Sequence, residues 1–467
     1  MQSKNLLVSV PELGFGISGS IRIPELHNVP ITRRVQKIID HPAFQRLRQI
    51  RQLGPTHLVY PGAVHTRFEH SLGVYSCVLL YVQHLLRNNP VFAESICEED
   101  ILCVLLAGLL HDLGHYPYAH SLEALHLKGR DTPRHEEVGA RIIRGDVEAL
   151  RGDSTIGEII KTDFGVDAER MIALCVGLDK KAPGVDRLLR SIISSAIDAD
   201  KMDYLERDSI HLGVPYGRNF DRERLLSSLT INTAEDRLAV LARGKVSAEI
   251  FIFGRYTMFS EAYWHHTVRS ASAMLEAALA AFHSRTDISD DDLLRVLLSS
   301  SDETFLAWLM SMSPEQSAAR YLIQSLTGNQ RQLFKRIATF SRVYQEASKQ
   351  RAYEKIYAMS ASETYDLVDR LRGRISAMVG WPLHPADIII DTPPRDKDKL
   401  ETVGVVYPDA SGRKEYPLHE LSRVIAGVQD DFMMVVKKIR IFAHPRVAAA
   451  LDGMPNLEKV ILTEVLR

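Results

Sequence analysis

The stretch EEDILCVLLAGLLHDLGHYPYAH, Glu98 to His120, decides the fold. Three acids, Glu98, Glu99 and Asp100, stand where a helix macrodipole favours negative charge. The run from Ile101 to Leu110 is apolar on every face, which predicts a central, buried helix. Its last turn delivers His111 and Asp112 into the middle of a domain. His111 and His115 are four apart, hence on one helical face, with Asp112 one step round. Gly114 and Pro117 end the helix, so His120 approaches from the next segment. Two imidazoles and a carboxylate at a helix end can hold a divalent metal with open positions, the arrangement a metal hydrolase needs.

Working outward, residues 1–34 alternate apolar and small residues around Gly14, Gly16 and Gly19 and read as a ribbon or extended arm. From 35 to 285 the periodicity is helical: Val35, Ile38 and Ile39 share a face, and so do Phe44, Leu47 and Ile50 after Pro42. The serine-flanked acidic stretch Ser284 to Asp292 is expected to link and cap a helical extension over 286–380. Beyond Pro382, DIIIDT, TVGVVY, KEYPL and MMVVKKIRIFAH read as strands. Asp409 to Gly412 is expected to form a hairpin turn, and Leu418 to Val428 a helix. The expected fold is mainly α, an all-helical core with a smaller C-terminal α/β subdomain over 381–467.

Composition removes several function classes. The chain has 467 residues, 45% hydrophobic and 25% charged, with 57 basic against 59 acidic residues and a net charge of −2. Such a balance excludes a disordered chain and argues against a protein that coats nucleic acid. The N-terminus shows no signal or transit peptide, and ten apolar residues fall short of the roughly 20 that span a bilayer, so no membrane partner and a cytoplasmic location are expected. Cys77, Cys97, Cys103 and Cys175 stand in apolar helical contexts without CxxC pairing and read as reduced core residues. Histidine is the uneven count: nine of the 18 lie between His57 and His135. The commonest metal ligand is therefore concentrated around the buried helix.

Other chemistry-bearing residues flank the helix. HTRFEHSLGV places Arg67 and His70 at the start of another helix, PRHEEVG offers His135, and DADKMDYLERD offers Asp198, Asp200, Asp203 and Asp208 with Lys201, Tyr204 and Arg207. The order H…HD…D resembles the HD-domain metal-dependent phosphohydrolase superfamily. FQRLRQIRQLG, YPGAVHTRFEHSLGV, HDLGHYPYAH, DADKMDYLERD and AYWHH resemble its deoxynucleoside triphosphate triphosphohydrolases, the group containing the vertebrate sterile-alpha-motif-and-HD-domain dNTPase. The resemblance covers roughly residues 35–285, and more weakly the C-terminal strands.

The resemblance implies His70, His111, Asp112 and Asp200 as metal ligands, suited to Mg²⁺ or Mn²⁺ or to Fe or Zn. It implies His115, His120 and His135 as catalytic histidines, with His120 protonating the departing 5′-oxygen and Glu123 holding the His120 imidazole. Arg67, Lys201, Tyr204 and Arg255 would contact the triphosphate, which carries roughly four negative charges. Gln52 and Asp208 would bind the 3′-hydroxyl, while Leu53 and Tyr263 leave no room for a 2′-hydroxyl. The implied reaction converts a dNTP and water to deoxynucleoside and triphosphate, with metal hydroxide attacking the α-phosphorus.

Asp40, Gln45 and Arg48 match the guanine-binding part of an allosteric nucleotide site. ELGFGISGSIRIP departs from that pattern, lacking the Lys, Asn and Asp expected before the turn. A dimer or tetramer is expected, with a nucleotide activator as a further implied partner. Arg33, Arg34, Lys37, Arg46, Arg48 and Arg51 also form a basic stretch that could favour single-stranded nucleic acid. No GxxxxGK[ST] or GxGxxG loop is present, so phosphate binding falls to side chains and metal. The alternatives are an HD nucleotidase or phosphodiesterase on other nucleotides, or a nucleotide sensor or nucleic-acid-binding protein without turnover.

Overall fold

The computed structural model describes residues 6–467 apart from 15–16, 25–27, 124–125, 128–129, 132–133, 287, 330, 344, 394–401 and 410–411. Gly16 of the expected ribbon, and Ala410 and Ser411 of the expected hairpin turn, lie outside the described residues.

Three helices form the frame. The apolar run is helical over Glu98–Leu110, where 11 of 13 residues are buried. At about 1.5–3 kcal/mol for each large apolar side chain removed from water, this helix is a main source of stability. Asp100 folds back to accept the Cys97 N–H at 2.7 Å, closing the N-terminus. The helix packs against Arg67–Asn88, which packs in turn against Ala199–Leu212. Asp198 caps the last of these by accepting the Lys201 N–H at 2.7 Å. Gly213 ends it in a left-handed conformation, φ 70°, which glycine adopts without steric cost.

The N-terminal arm is a short helix, Leu6–Ser9, and an antiparallel ribbon of Gly19–Arg22 with Asn28–Ile31. Buried Glu12 fastens it to the following helix, Arg33–Asp40, accepting from Arg34 at 2.6 Å and from Thr32 at 2.8 Å.

Two sheets tie the C-terminal part to the rest. Gly404–Asp409 and Gly412–Pro417 pair as the expected hairpin, but the hairpin extends a second one made by Leu229–Ile231 and Leu238–Leu241. The joining pair is parallel, Ala239 opposite Gly404. The other sheet has Ile439–Ala443 between Lys335–Phe340 and Ile388–Asp391, all antiparallel. A large apolar core runs from Val10 to Phe442, and a smaller one from Phe340 to Val465.

Three sequence expectations are corrected. Lys335–Phe340, placed among helices, is a strand; its charged start and edge position leave no clean alternation to read. MMVV is helical within Phe432–Val436, where Phe432 is buried against Phe259 at 5.3 Å between ring centroids. Packing there overrides the β-propensity of the valines. Cys97 is exposed at its helix start; all four cysteines are free. Among the described residues no helix is long and apolar enough to cross a membrane.

Candidate metal centre and active site

The buried helix stops at Leu110 and residues 111–114 form turns, so His111 and His115 do not share a helical face. They converge through Asp112 instead. His111 Nε2 lies 3.4 Å and His115 Nε2 3.1 Å from Asp112 Oδ1. From the Arg67–Asn88 helix, His70 brings Nε2 to 3.6 Å from Asp112 Oδ2 and 3.1 Å from Asp200 Oδ1. Asp200 Oδ1 is also 3.7 Å from His111 Nε2. The four expected ligands are thus brought together by two helices and the turn that follows a third.

The donor chemistry fits a divalent ion. Among the described residues, His111 Nε2 is buried without a hydrogen-bond partner, while its Nδ1 lies 2.9 Å from the Gly108 carbonyl. With the proton on Nδ1, the Nε2 lone pair faces the Asp112 and Asp200 oxygens. Burial alone would raise the Asp112 carboxyl, but the cationic and hydrogen-bonding groups around it, Arg67 at 2.6 Å among them, outweigh burial and hold it well below the usual carboxylate range. Two imidazole nitrogens and two carboxylates suit Mg²⁺, Mn²⁺, Fe or Zn.

Beside this cluster stand three histidines. The His115 and His135 rings stack with centroids 3.7 Å apart, and His120 meets His115 edge-on at 5.1 Å. Burial, with Arg67 and His135 adding to it, pushes His115 well below the ordinary histidine value, so its ring is neutral. Glu123 is 3.8 Å from His120 Nδ1 but 2.8 Å from His135 Nδ1, and it also accepts the His135 N–H at 2.9 Å. It therefore hydrogen-bonds His135 and pairs more loosely with His120, the histidine expected from its three-residue spacing. Tyr118, between His115 and His120, has φ 56°. A bulky residue in that region marks a strained turn at the site.

Gly114 allows the His135–Arg144 helix to approach. A Cβ at 114 would lie 1.9 Å from the His135 carbonyl oxygen and 2.2 Å from Gly139 N, both backbone atoms. Gly114→Ala is expected to lower stability by about 1–3 kcal/mol through overpacking. It should also pull His135 off His115 and reduce hydrolysis, as read by thermal melting and an activity assay.

Comparison with known proteins accords with this geometry. Residues 67–208 match the HD domain family, and residues 220–451 match the HD associated region. The uncharacterized protein MJ1154 of Methanocaldococcus jannaschii is 32% identical over 383 residues, 81% of this chain and 69% of that protein. The chain belongs to the HD-domain phosphohydrolases. Chicken (Gallus gallus) deoxynucleoside triphosphate triphosphohydrolase SAMHD1 is 31% identical over 341 residues, 64% of this chain. The match spans about half the length of that relative, 52%, and of the uncharacterized Bacillus subtilis protein YwfO, 49%. A hypothetical protein from Aquifex aeolicus has a crystal structure with TM-score 0.62 at 27% identity, covering 96% of this chain and 99% of that one.

Around the HD centre the other expected residues fall into two groups. Arg67 is buried and donates to Asp112 Oδ2 at 2.6 Å, with Nη2 3.4 Å from the Gln52 carbonyl and 3.3 Å from His120 Nε2. Lys201, Tyr204 and Arg255 lie close enough to perturb one another: burial raises Tyr204 to about 12 although Arg255 and Lys201 oppose it. Lys201 Nζ is held by buried Asp198 at 2.8 Å. Next to them, Asp208 accepts from Tyr263 at 2.5 Å, and its other oxygen is 2.7 Å from His65 Nε2. Gln52 donates its backbone N–H to the His65 carbonyl at 3.0 Å, and its Oε1 is buried without a partner among the described residues. Leu53 is half-buried beside it.

His65 is the residue that sequence reasoning missed. It is buried, stacked on His211 at 4.2 Å, and fixes Asp208. Its one signal was membership of the histidine cluster.

The expected allosteric residues stay outside the centre. Asp40 accepts from Gln36 at 2.7 Å, Gln45 donates to the Ile39 carbonyl at 2.7 Å, and Arg48 donates to Gln45 at 2.8 Å with its guanidinium 3.6 Å from the Phe68 ring. Of the basic stretch, Arg34 pairs with Glu12, Lys37 with Asp163, and Arg51 with Glu303. Arg46 donates to the Leu113 carbonyl at 2.8 Å, and burial pulls its guanidinium down to about 10.

Proposed function

We propose that this HD phosphohydrolase cleaves dNTPs to deoxynucleoside and inorganic triphosphate. The observation that carries the reading is the adjacency of three sub-sites: the ligand set, a cationic group of Lys201 and Arg255 with Tyr204, and the Asp208–Tyr263 pair. A nucleotide needs all three, since a triphosphate demands cations and a sugar hydroxyl demands fixed hydrogen-bonding groups. The name of the SAMHD1 relatives supports the same substrate class.

His70, His111, Asp112 and Asp200 would hold a divalent ion, which when bound would supply Lewis acidity and neutralise phosphate charge. The chain's own groups do the rest. Lys201, Tyr204 and Arg255 hold the triphosphate, and Arg67 at the centre faces the α-phosphate. The unpartnered Gln52 Oε1 accepts from the 3′-hydroxyl beside Asp208, while Tyr263 and Leu53 close the space at C2′. Neutral His115 holds Asp112, and Glu123 keeps His135 stacked on His115. Water adds to the α-phosphorus and gives up a proton to solvent, the bond to the 5′-oxygen breaks, and His120 gives that oxygen its proton. Arg67 beside His120 Nε2 opposes protonation of the ring. A phosphate engaging Arg67 reverses that field and readies the acid.

The test is product analysis by HPLC with each of the four dNTPs and Mn²⁺, with and without GTP and with an EDTA control. Deoxynucleoside and intact triphosphate, lost in EDTA, are expected. A monophosphate with pyrophosphate would sink the reaction assignment.

A further inference from the structure

The Ala199–Leu212 helix carries two stripes of four-residue spacing. Asp200, Tyr204 and Asp208 serve the site already described. Asp203, Arg207 and His211 form the neighbouring stripe, against the first turn of the Arg67–Asn88 helix. Asp203 is 1% exposed and Arg207 2%. Arg207 donates Nε to Asp203 Oδ2 at 2.8 Å, Nη2 to Oδ1 at 2.6 Å, and Nη1 to Glu69 Oε1 at 2.6 Å. His211 Nε2 is 3.1 Å from the same Glu69 oxygen. At the inner end, Asp203 Oδ2 lies 2.8 Å from His70 Nδ1.

Stability does not explain this ladder. Taking two charges out of water costs several kcal/mol per ion, and an apolar pair of equal volume is often as stable or more so. The neighbouring helix is also shaped to admit it. A Cβ at Gly73 would lie 1.8 Å from Asp203 Oδ1 and 2.4 Å from Arg207 Nη2. Glycine there costs about 1 kcal/mol relative to alanine in a helix interior.

The geometry does account for one thing. An acceptor fixed at His70 Nδ1 puts the proton on that nitrogen and leaves the Nε2 lone pair toward Asp112 and Asp200. A carboxylate held at both oxygens by one guanidinium cannot rotate away. We propose that Asp203 and Arg207 are positioning residues for the metal centre: Asp203 sets the tautomer and aim of His70, and Arg207, braced on Glu69, locks Asp203. Neither touches the reacting atoms. This inference rests on the metal-site reading above.

The test uses the full chain, stripped of metal and titrated with Mn²⁺ by calorimetry, with circular dichroism to establish folding. Asp203→Asn and Arg207→Lys are each expected to weaken Mn²⁺ binding by about 10–100-fold, the usual effect of losing a group behind a ligand. Should Asp203→Asn fail to fold, Arg207→Lys and Gly73→Ala carry the same expectation, the alanine by displacing both side chains. Asp186→Asn is the control, since it breaks another largely buried pair, with Arg170 at 2.6 Å. It should lower the melting temperature and leave Mn²⁺ affinity unchanged. A folded Asp203→Asn or Arg207→Lys protein with wild-type affinity overturns the proposal, as does an equal loss in Asp186→Asn. A wild-type chain that binds no Mn²⁺ overturns the metal-site reading itself and this inference with it.

Discussion

Asp112→Ala is expected to lose Mn²⁺ binding and dNTP hydrolysis together, with kcat/KM falling at least about 10³-fold, or about 4 kcal/mol of transition-state stabilisation. Asp112 is the shared point of the centre. One of its oxygens faces His111 and His115, and the other faces His70 and Arg67. Alanine also strands the buried Arg67 charge, which costs about 3–5 kcal/mol when one partner of a buried pair is removed. Asp112→Asn separates the two effects. Its amide oxygen still accepts from Arg67, so the protein should stay folded while the anionic ligand is gone. An Asp112→Asn protein that binds Mn²⁺ and turns over normally would refute the ligand assignment.

His120→Ala is expected to bind Mn²⁺ as the wild type does and to lose turnover by about 10²–10⁴-fold, the range for a general acid. Its side chain is 68% exposed, so truncation should leave the melting temperature unchanged. Its Nε2 lies 3.3 Å from Arg67 Nη2, which is not a ligand atom. The loss should shrink with bis-p-nitrophenyl phosphate, whose leaving group needs little protonation. Loss of Mn²⁺ binding, or an equal loss on both substrates, would contradict the role of acid.

What the sequence disclosed and what it hid follow from range. The Glu98–Leu110 helix was legible because an apolar run on every face has one stable environment, the interior, and that fixed where His111 and Asp112 must lie. His70 and Asp200 were reached through motif order and resemblance, since neither spacing nor periodicity relates residues on separate helices. Glu123 shows the limit of local spacing. Three residues suggested His120, but the close packing at Gly114 brings His135 nearer. His65 and Asp208 meet across 143 positions, and Gly404–Asp409 pairs with Leu238–Leu241; neither contact has a local signature. Asp198, which caps Ala199–Leu212, and Asp203 and Asp208 within it are buried because each has a partner there.

The central claim is attack on the α-phosphorus with cleavage of the bond to the 5′-oxygen, and hydrolysis of dGTP in ¹⁸O-water tests it most directly. The account predicts one ¹⁸O in the inorganic triphosphate and none in deoxyguanosine, read by mass spectrometry. Label in deoxyguanosine, or in a monophosphate released with pyrophosphate, would contradict it.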